Sequence, residues 1–317
     1  MDHMSVNPAY WYDSDPVPPL IDRHDVAMAE VRRMRRATSP APILAVITNY
    51  YEWFQRSALF KCCSRTGLIH PQPFTALSEE QLAQQDTQFI LWQTEPEVPK
   101  VARKLIPPTK RIINSGVRNL SKATGGISKR TVQSTFANVA GYELRVDPKT
   151  YDGYAVIKSL RNGAHDGRVI RLPVSEPDPG SVYETKVRNY VLAHSIFDIR
   201  LVMIRSKPAL AYVKFRERHI RFQNLTTFAG LAVPIEVLNE TELDICSRFC
   251  TELGMDYGEI DVLRDVDSNR IYIVDANNTP VGPPKSLSVE ERSMAIRLIT
   301  AQFLASFFGE SRPDRGR

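Results

Sequence analysis

Residues 256–280, "DYGEIDVLRDVDSNRIYIVDANNTP", limit this chain more than any other stretch. The pattern alternates with period two on both sides of a "DSN" turn, which specifies a β-hairpin. Antiparallel strands are expected at 258–264 and 270–277. The segment also carries six acids, Asp256, Glu259, Asp261, Asp265, Asp267 and Asp275. Carboxylates on core strands cost free energy unless cations meet them. The period places Glu259, Asp261 and Leu263 on one face of the first strand. In the second strand, Ile273, Asp275 and Asn277 point one way and Tyr272 and Val274 the other. The hairpin can therefore set Asp261 against Asp275 and Asn277. Ile260, Val262, Tyr272 and Val274 are left to pack beneath a helix. Two carboxylates and an amide oxygen are hard ligands that suit Mg2+. An exposed strand face with solvated acids is the competing reading, and the hairpin alone does not decide. Asp265 and Asp267 read as turn residues.

The 317 residues, 43% hydrophobic and 24% charged, suffice for a large core in two or more lobes. Net charge is a mild +5, and much of the excess lies in "RRMRR" at 32–36 and "RPDRGR" at 312–317. Such clusters read as solvated tails rather than a nucleic-acid surface. No apolar run reaches the roughly 18 residues of a membrane span, and the N-terminus has no apolar signal core. Cys62, Cys63, Cys246 and Cys250 form no CxxC pair, so buried free thiols in a reducing cytoplasm are expected and zinc is not.

The chain divides into an N-terminal arm at 1–42, partly disordered and with one short basic helix near 24–36, and an N-terminal α/β lobe at 43–114. A central lobe at 115–185, a C-terminal lobe at 186–309 and a basic tail at 310–317 follow. "PILAVITNY" and "TQFILWQ" read as strands flanking a helical stretch. "SKRTVQSTFANVAGYEL" is a helix with Ser128 as N-cap and Gly141 as C-cap. "YAVIKSL", "DIRLVMIRS" and "AYVKFRERHIRF" are strands, "ETELDICSRFCTEL" is a helix, and the last helix opens on a capping box of Ser288 and Glu291. Trp11, Trp53 and Trp92, with Phe54 and Phe60, read as core or tail packing.

The cations that could answer the acids lie upstream. Lys129 starts a helix, and Lys158 sits on an apolar strand, where it either points to solvent at an edge or faces a cleft. Gly163 and Gly167 in "NGAHDG" allow backbone N–H groups to approach phosphates, although most such pairs are plain turns. Lys214, Arg216, Arg218 and Arg221 are expected as four cations on one strand face. No Walker or dinucleotide motif occurs.

In the order Lys129, Lys158, glycine loop, "DIR", "RFQN", "DYGEIDVLRD" and "VDANNTPVG", this sequence resembles the ATP-grasp superfamily over about residues 110–305. Within that superfamily it is most similar to ligases that add glutamate to a protein or peptide C-terminus, which show "DIR", "R-x-N", "VDILR"-like and "EVN-x-SPG" motifs. The resemblance implies an α/β (α+β) ATP-grasp fold with a small N-terminal α/β lobe. It implies that Lys129, Lys158, Gly163 and Gly167 meet ATP phosphates, that Glu184 meets the adenine edge, and that Asp198 meets the ribose. Arg221 and Asn224 would face the γ-phosphate and the reacting carboxylate, and Asp261, Asp275 and Asn277 would hold Mg2+. This sequence departs from the pattern at Asp275, where glutamate is usual, and in "RFQN", which has one extra residue. "ANNTPVGPP" lacks the usual early glycine.

The expected function is an ATP- and Mg2+-dependent ligase that activates a carboxylate for attack by an amine. A kinase acting on an acidic or hydroxylated acceptor, and an ATP-binding protein without catalysis, are the alternatives. The expected partner is a small molecule or peptide with a carboxylate, with no nucleic acid and no membrane.

Overall fold

The structure is a computed structural model that describes residues 29, 41–48, 51–92, 99–117, 120–121, 126–161, 163–192, 194–223 and 225–308. Most of the arm with its expected helix and Trp11, the tail at 310–317, and Asn224 lie outside the described residues.

The N-terminal part runs β1 (Ile43–Ile47), α1 (Tyr51–Gln55), α2 (Ala58–Thr66), β2 (His70–Pro73), α3 (Glu79–Ala83), β3 (Gln88–Leu91), α4 (Lys100–Leu105) and β4 (Ile112–Ile113). The four strands form a parallel sheet in the order β2-β1-β3-β4. β1 and β3 are almost wholly buried, as parallel strands covered on both faces require. β2 reads "HPQP" and carries no strand signal, because proline cannot donate to a ladder. It is tolerated because β2 lies at the sheet edge. Trp92 and Phe54 are core residues as expected, but Trp53 is 67% exposed, since it points away from the sheet that buries its neighbour.

The middle part comprises β5 (Leu120–Ser121), β6 (Gly126–Ile127), α5 (Lys129–Ala140), β7 (Gly153–Ser159), β8 (Arg168–Leu172) and β9 (Ser181–Thr185). Ser128 caps α5 by accepting from the Arg130 N–H, and Gly141 ends it at φ 77°, which favours glycine. β8, β7 and β9 make a small antiparallel sheet with β7 central.

The last part comprises β10 (Tyr190–Leu192), β11 (Ser195–Ile204), β12 (Lys207–Glu217), β13 (Phe228–Ala232), α6 (Pro234–Val237), α7 (Glu240–Leu253), β14 (Tyr257–Arg264), β15 (Ile271–Asn277) and α8 (Val289–Phe307). Its antiparallel sheet has the order β13-β12-β11-β14-β15, with β10 also on β11. Ile260, Val262, Ile271 and Ile273 share a core with Cys246, Phe249 and Cys250 of α7. On the other face, Val202, Leu210, Tyr212 and Tyr257 join a core with α8, α2 and β1. All four cysteines are free and buried.

Two expectations need correction. β14 and β15 pair as a hairpin, but their register shifts: Asp261 lies opposite Asp275, and Val262 opposite Ile273. Val274 is the extra residue. A bulge of this kind reverses the face of every residue on one side of it. Ile273 therefore turns into the core beside Val262, fully buried. Tyr272, opposite Leu263, still packs half-buried against this core as expected, beside Phe136 of α5 at 5.9 Å and edge-on to Tyr142 at 5.6 Å. Second, β12 ends at Glu217, and Arg218–Ile220 is a 3-10 turn. Only Lys214 and Arg216 share a strand face. Arg218 instead lies over the Tyr190 ring at 4.6 Å.

Candidate functional site

The large sheet presents one face whose apolar end is covered by α8 and whose other end is charged. Asp198, Arg200 and Val202 alternate along β11, while Leu210, Tyr212, Lys214 and Arg216 alternate along β12. Register places Arg200 beside Asp261, Asp261 beside Asp275, and Glu259 beside Asn277. The three expected metal ligands thus occupy one patch of this face.

Asp261 is held from both sides. Arg200 Nε donates to its Oδ1 and Nη2 to its Oδ2, both at 2.8 Å, and Lys214 Nζ donates to Oδ1 at 3.1 Å. Burial alone would raise the carboxyl pKa. Arg200 and then Lys214 outweigh it and hold Asp261 well below the usual carboxylate range. Arg200 also lies 3.5 Å from buried Glu259, whose carboxyl burial pushes up to about 7 against the pull of Arg200. Asp275 reaches the cleft and has no ion pair among the described residues. Surrounding protein raises its carboxyl, reinforced by the negative charge of Asp261. Asn277 Oδ1 accepts from the Thr279 N–H at 2.9 Å and from Thr279 Oγ1 at 3.2 Å.

The small sheet supplies the opposing charges. Lys158 faces inward, with Nζ 2.6 Å from Glu184 Oε2. Gln133 of α5 donates to Glu184 Oε1 at 3.2 Å, so the carboxylate is fixed by two elements. Lys129 Nζ donates to the carbonyls of Ser159 at 2.6 Å and Arg161 at 2.8 Å, at the root of the glycine loop. Burial lowers the Lys129 pKa, while Asp275 opposes that shift. The charges of Lys158 and Lys129 act in turn on Asp275. Lys129 and Lys158 are thus brought within electrostatic reach of Asp275, and Glu184 is held by Lys158.

Of the loop glycines, Gly163 adopts φ 66° and Gly167 lies against Phe222. A Cβ on Gly167 would stand 2.5 Å from the Phe222 ring, so the loop can meet the "RFQN" turn only with glycine there. Arg221 Nη2 donates to Asn189 Oδ1 at 3.1 Å and to the Val187 carbonyl at 3.3 Å, tying that turn to the linker after β9. Asp198 is paired with Arg216 Nη2 at 2.5 Å and accepts from Asn189 at 3.0 Å. Sequence reasoning left Arg200, Glu259 and Gln133 without a role. The two-residue step from Asp198 to Arg200 in "DIR" was the available signal, but pairing register decides what Arg200 meets.

The donor set suits a magnesium ion. The groups are oxygens only, they share one face, and Asp275 is a carboxylate without a cationic partner among the described residues. No cluster of three or more His, Cys, Asp or Glu side chains that could hold a metal occurs among the described residues. Among the described residues, no helix is long and apolar enough to cross a membrane.

No family model matches the chain, and no curated protein matches it by sequence. Among solved structures it is similar to the ATP-grasp ligase PsnB complexed with a phosphomimetic variant of its minimal precursor, Mg and ADP. That likeness has a TM-score of 0.52 at 12% identity and covers 87% of this chain and 100% of the other. It is also similar to D-alanine–D-alanine ligase from Bacillus anthracis complexed with ATP, at a TM-score of 0.47 and 14% identity, covering 86% and 97% of the two chains. For the L-amino acid ligase from Bacillus licheniformis the values are 0.45, 13%, 87% and 78%. The first likeness decides the architecture: the chain has the ATP-grasp fold, in the α/β form expected.

Proposed function

We propose that this protein is an ATP- and Mg2+-dependent ligase that activates a carboxylate for attack by an amine. One observation carries the reading. The oxygen ligands Asp261, Asp275 and Asn277 share one wall on the large sheet, the ammonium groups of Lys129 and Lys158 on the other wall act on Asp275, and Glu184 is ion-paired to Lys158. A nucleotide phosphate chain with its magnesium ion is the ligand that satisfies both walls. PsnB, which shares the fold, is complexed with Mg and ADP.

In this reading Lys129 and Lys158 bind phosphate oxygens, and Glu184 orients Lys158. Gly163 and Gly167 keep the loop close to the phosphates, and Glu184 and Asp198 border the base and ribose. Asp275, the free side of Asp261, and Asn277 once its oxygen gives up the longer Thr279 Oγ1 bond would hold the ion, which supplies charge neutralisation on the transferring phosphoryl group. A substrate carboxylate oxygen attacks the γ-phosphorus and ADP leaves. The amine then attacks the acyl carbon of the mixed anhydride, phosphate departs, and the nitrogen loses a proton. Arg221 is the proposed donor to the reacting carboxyl oxygen, with Asn224 near it in sequence. No side-chain nucleophile is needed, because positioning and charge do the chemistry.

The test is ADP release from Mg2+ and ATP against pools of amino acids and short peptides, with hydroxylamine present. ADP with a hydroxamate is the expected result. ADP without a hydroxamate would replace the ligase with a kinase, and no Mg2+-dependent ADP with any pool would reject both.

A further inference from the structure

We propose that this site takes one divalent ion, and that Arg200 and Lys214 stand where a two-metal site would carry a second. The inference rests on the ATP and magnesium reading above. Asp261 is the central acid of the patch, yet most of its acceptor capacity is already used. A carboxylate offers about four lone-pair positions. Arg200 takes one on each oxygen, and Lys214 takes a second on Oδ1. A bridging ligand between two ions needs an open position toward each, and Asp261 keeps one.

These cations are built into the sheet. Lys214 is only 4% exposed, on central β12 next to the strand that carries Arg200. Arg200 is fixed further by Glu259 at 3.5 Å. An ammonium buried this far stays with its carboxylate. The other expected ligands do not offset the loss. Asn277 Oδ1 already accepts two bonds from Thr279, and Asp275 is one methylene shorter than the glutamate of the resembling motif, with less reach to span two ions. Oxygen positions therefore remain for one ion completed by phosphate and water. Charge agrees: Arg200 and Lys214 together carry the two positive charges of the missing ion, and both pair with Asp261.

Manganese is the probe, counted by the loss of its free-ion electron paramagnetic resonance signal as the chain is titrated in saturating ADP. Wild type is expected to bind one Mn2+ per chain. Lys214→Gln and Arg200→Gln, which each free a position on Asp261, are expected to bind two. Two ions in wild type would overturn this inference alone. So would one ion in folded variants, their fold checked by near-ultraviolet circular dichroism. If neither variant folds, the wild-type count still decides. A wild type that binds no Mn2+ with ADP would overturn the nucleotide reading itself.

Discussion

In the proposed site Lys158 and Asp275 act on the same ligand from opposite walls, and each can be removed without opening the core. Lys158→Met deletes one charged donor and leaves the stem in place. ATP affinity should fall by about 1.5–3 kcal/mol, the range for a hydrogen bond to a charged group, read by calorimetry. An unchanged dissociation constant would take Lys158 out of the nucleotide site. Asp275→Asn keeps shape and removes charge. Mg2+-dependent ADP release should be lost with the thermal midpoint unchanged, and retained turnover would end the metal assignment. The thiols make a separate prediction. Burial raises all four, Cys62 to about 12, so they should ignore a disulfide reagent in the native state and react on unfolding. The sign for stability follows. Above the ordinary thiol value near 9, the unfolded chain releases protons that the folded chain retains, so stability should fall as pH rises from there toward 12. Fast labelling at neutral pH would contradict the burial.

Among the elements, α7 is tied to β14 by a buried pair. Arg264 donates to Glu242 at 2.5 and 2.7 Å and to the Val237 carbonyl at 3.2 Å. Glu242 also closes the capping box with Asn239, so one side chain starts the helix and anchors it to the sheet. Glu242→Ala leaves a buried guanidinium without its carboxylate. A loss of about 3–5 kcal/mol is expected in urea unfolding. A change under 1 kcal/mol, roughly the worth of an exposed pair, would mean the pair is solvated. This helix and its ends follow from capping and period. The bulge at Val274 does not, because a bulged strand and a regular one can share the same local pattern.

At the scale of the molecule, the N-terminal part is clasped to the C-terminal sheet by Asn114. Its Oδ1 accepts from the Asp256 and Tyr257 N–H groups at 2.9 Å each, and its Nδ2 donates to the Tyr257 carbonyl at 2.8 Å. Its own N–H donates to Asp256 Oδ2 at 2.9 Å. Asn114 has φ 64°, a conformation asparagine tolerates. Asn114→Gly keeps that backbone and removes only the amide. At about 1–3 kcal/mol for each buried group left unsatisfied, it should lower stability by several kcal/mol and speed proteolysis between the two parts. A stable, protease-resistant variant would show that the parts do not depend on this clasp.

The sequence by itself determined the large elements and the kinds of residue at the site. Periodicity and capping are local, so α5, α7, α8 and the β14–β15 hairpin were legible from Ser128, Gly141, Ser288, Glu291 and the alternating runs. Lys129, Lys158, Glu184, Asp261, Asp275 and Asn277 were visible as charges and oxygens in order along the chain. Only the tertiary structure decided who meets whom. The edge position of β2 admits prolines that read as loop, the bulge turns Ile273 into the core, and the end of β12 takes Arg218 and Arg221 off its strand. The pairing of Asp261 with Arg200 and Lys214 joins residues 61 and 47 positions apart. No local pattern encodes such a contact, because it follows from strand order and register, which the whole core sets at once.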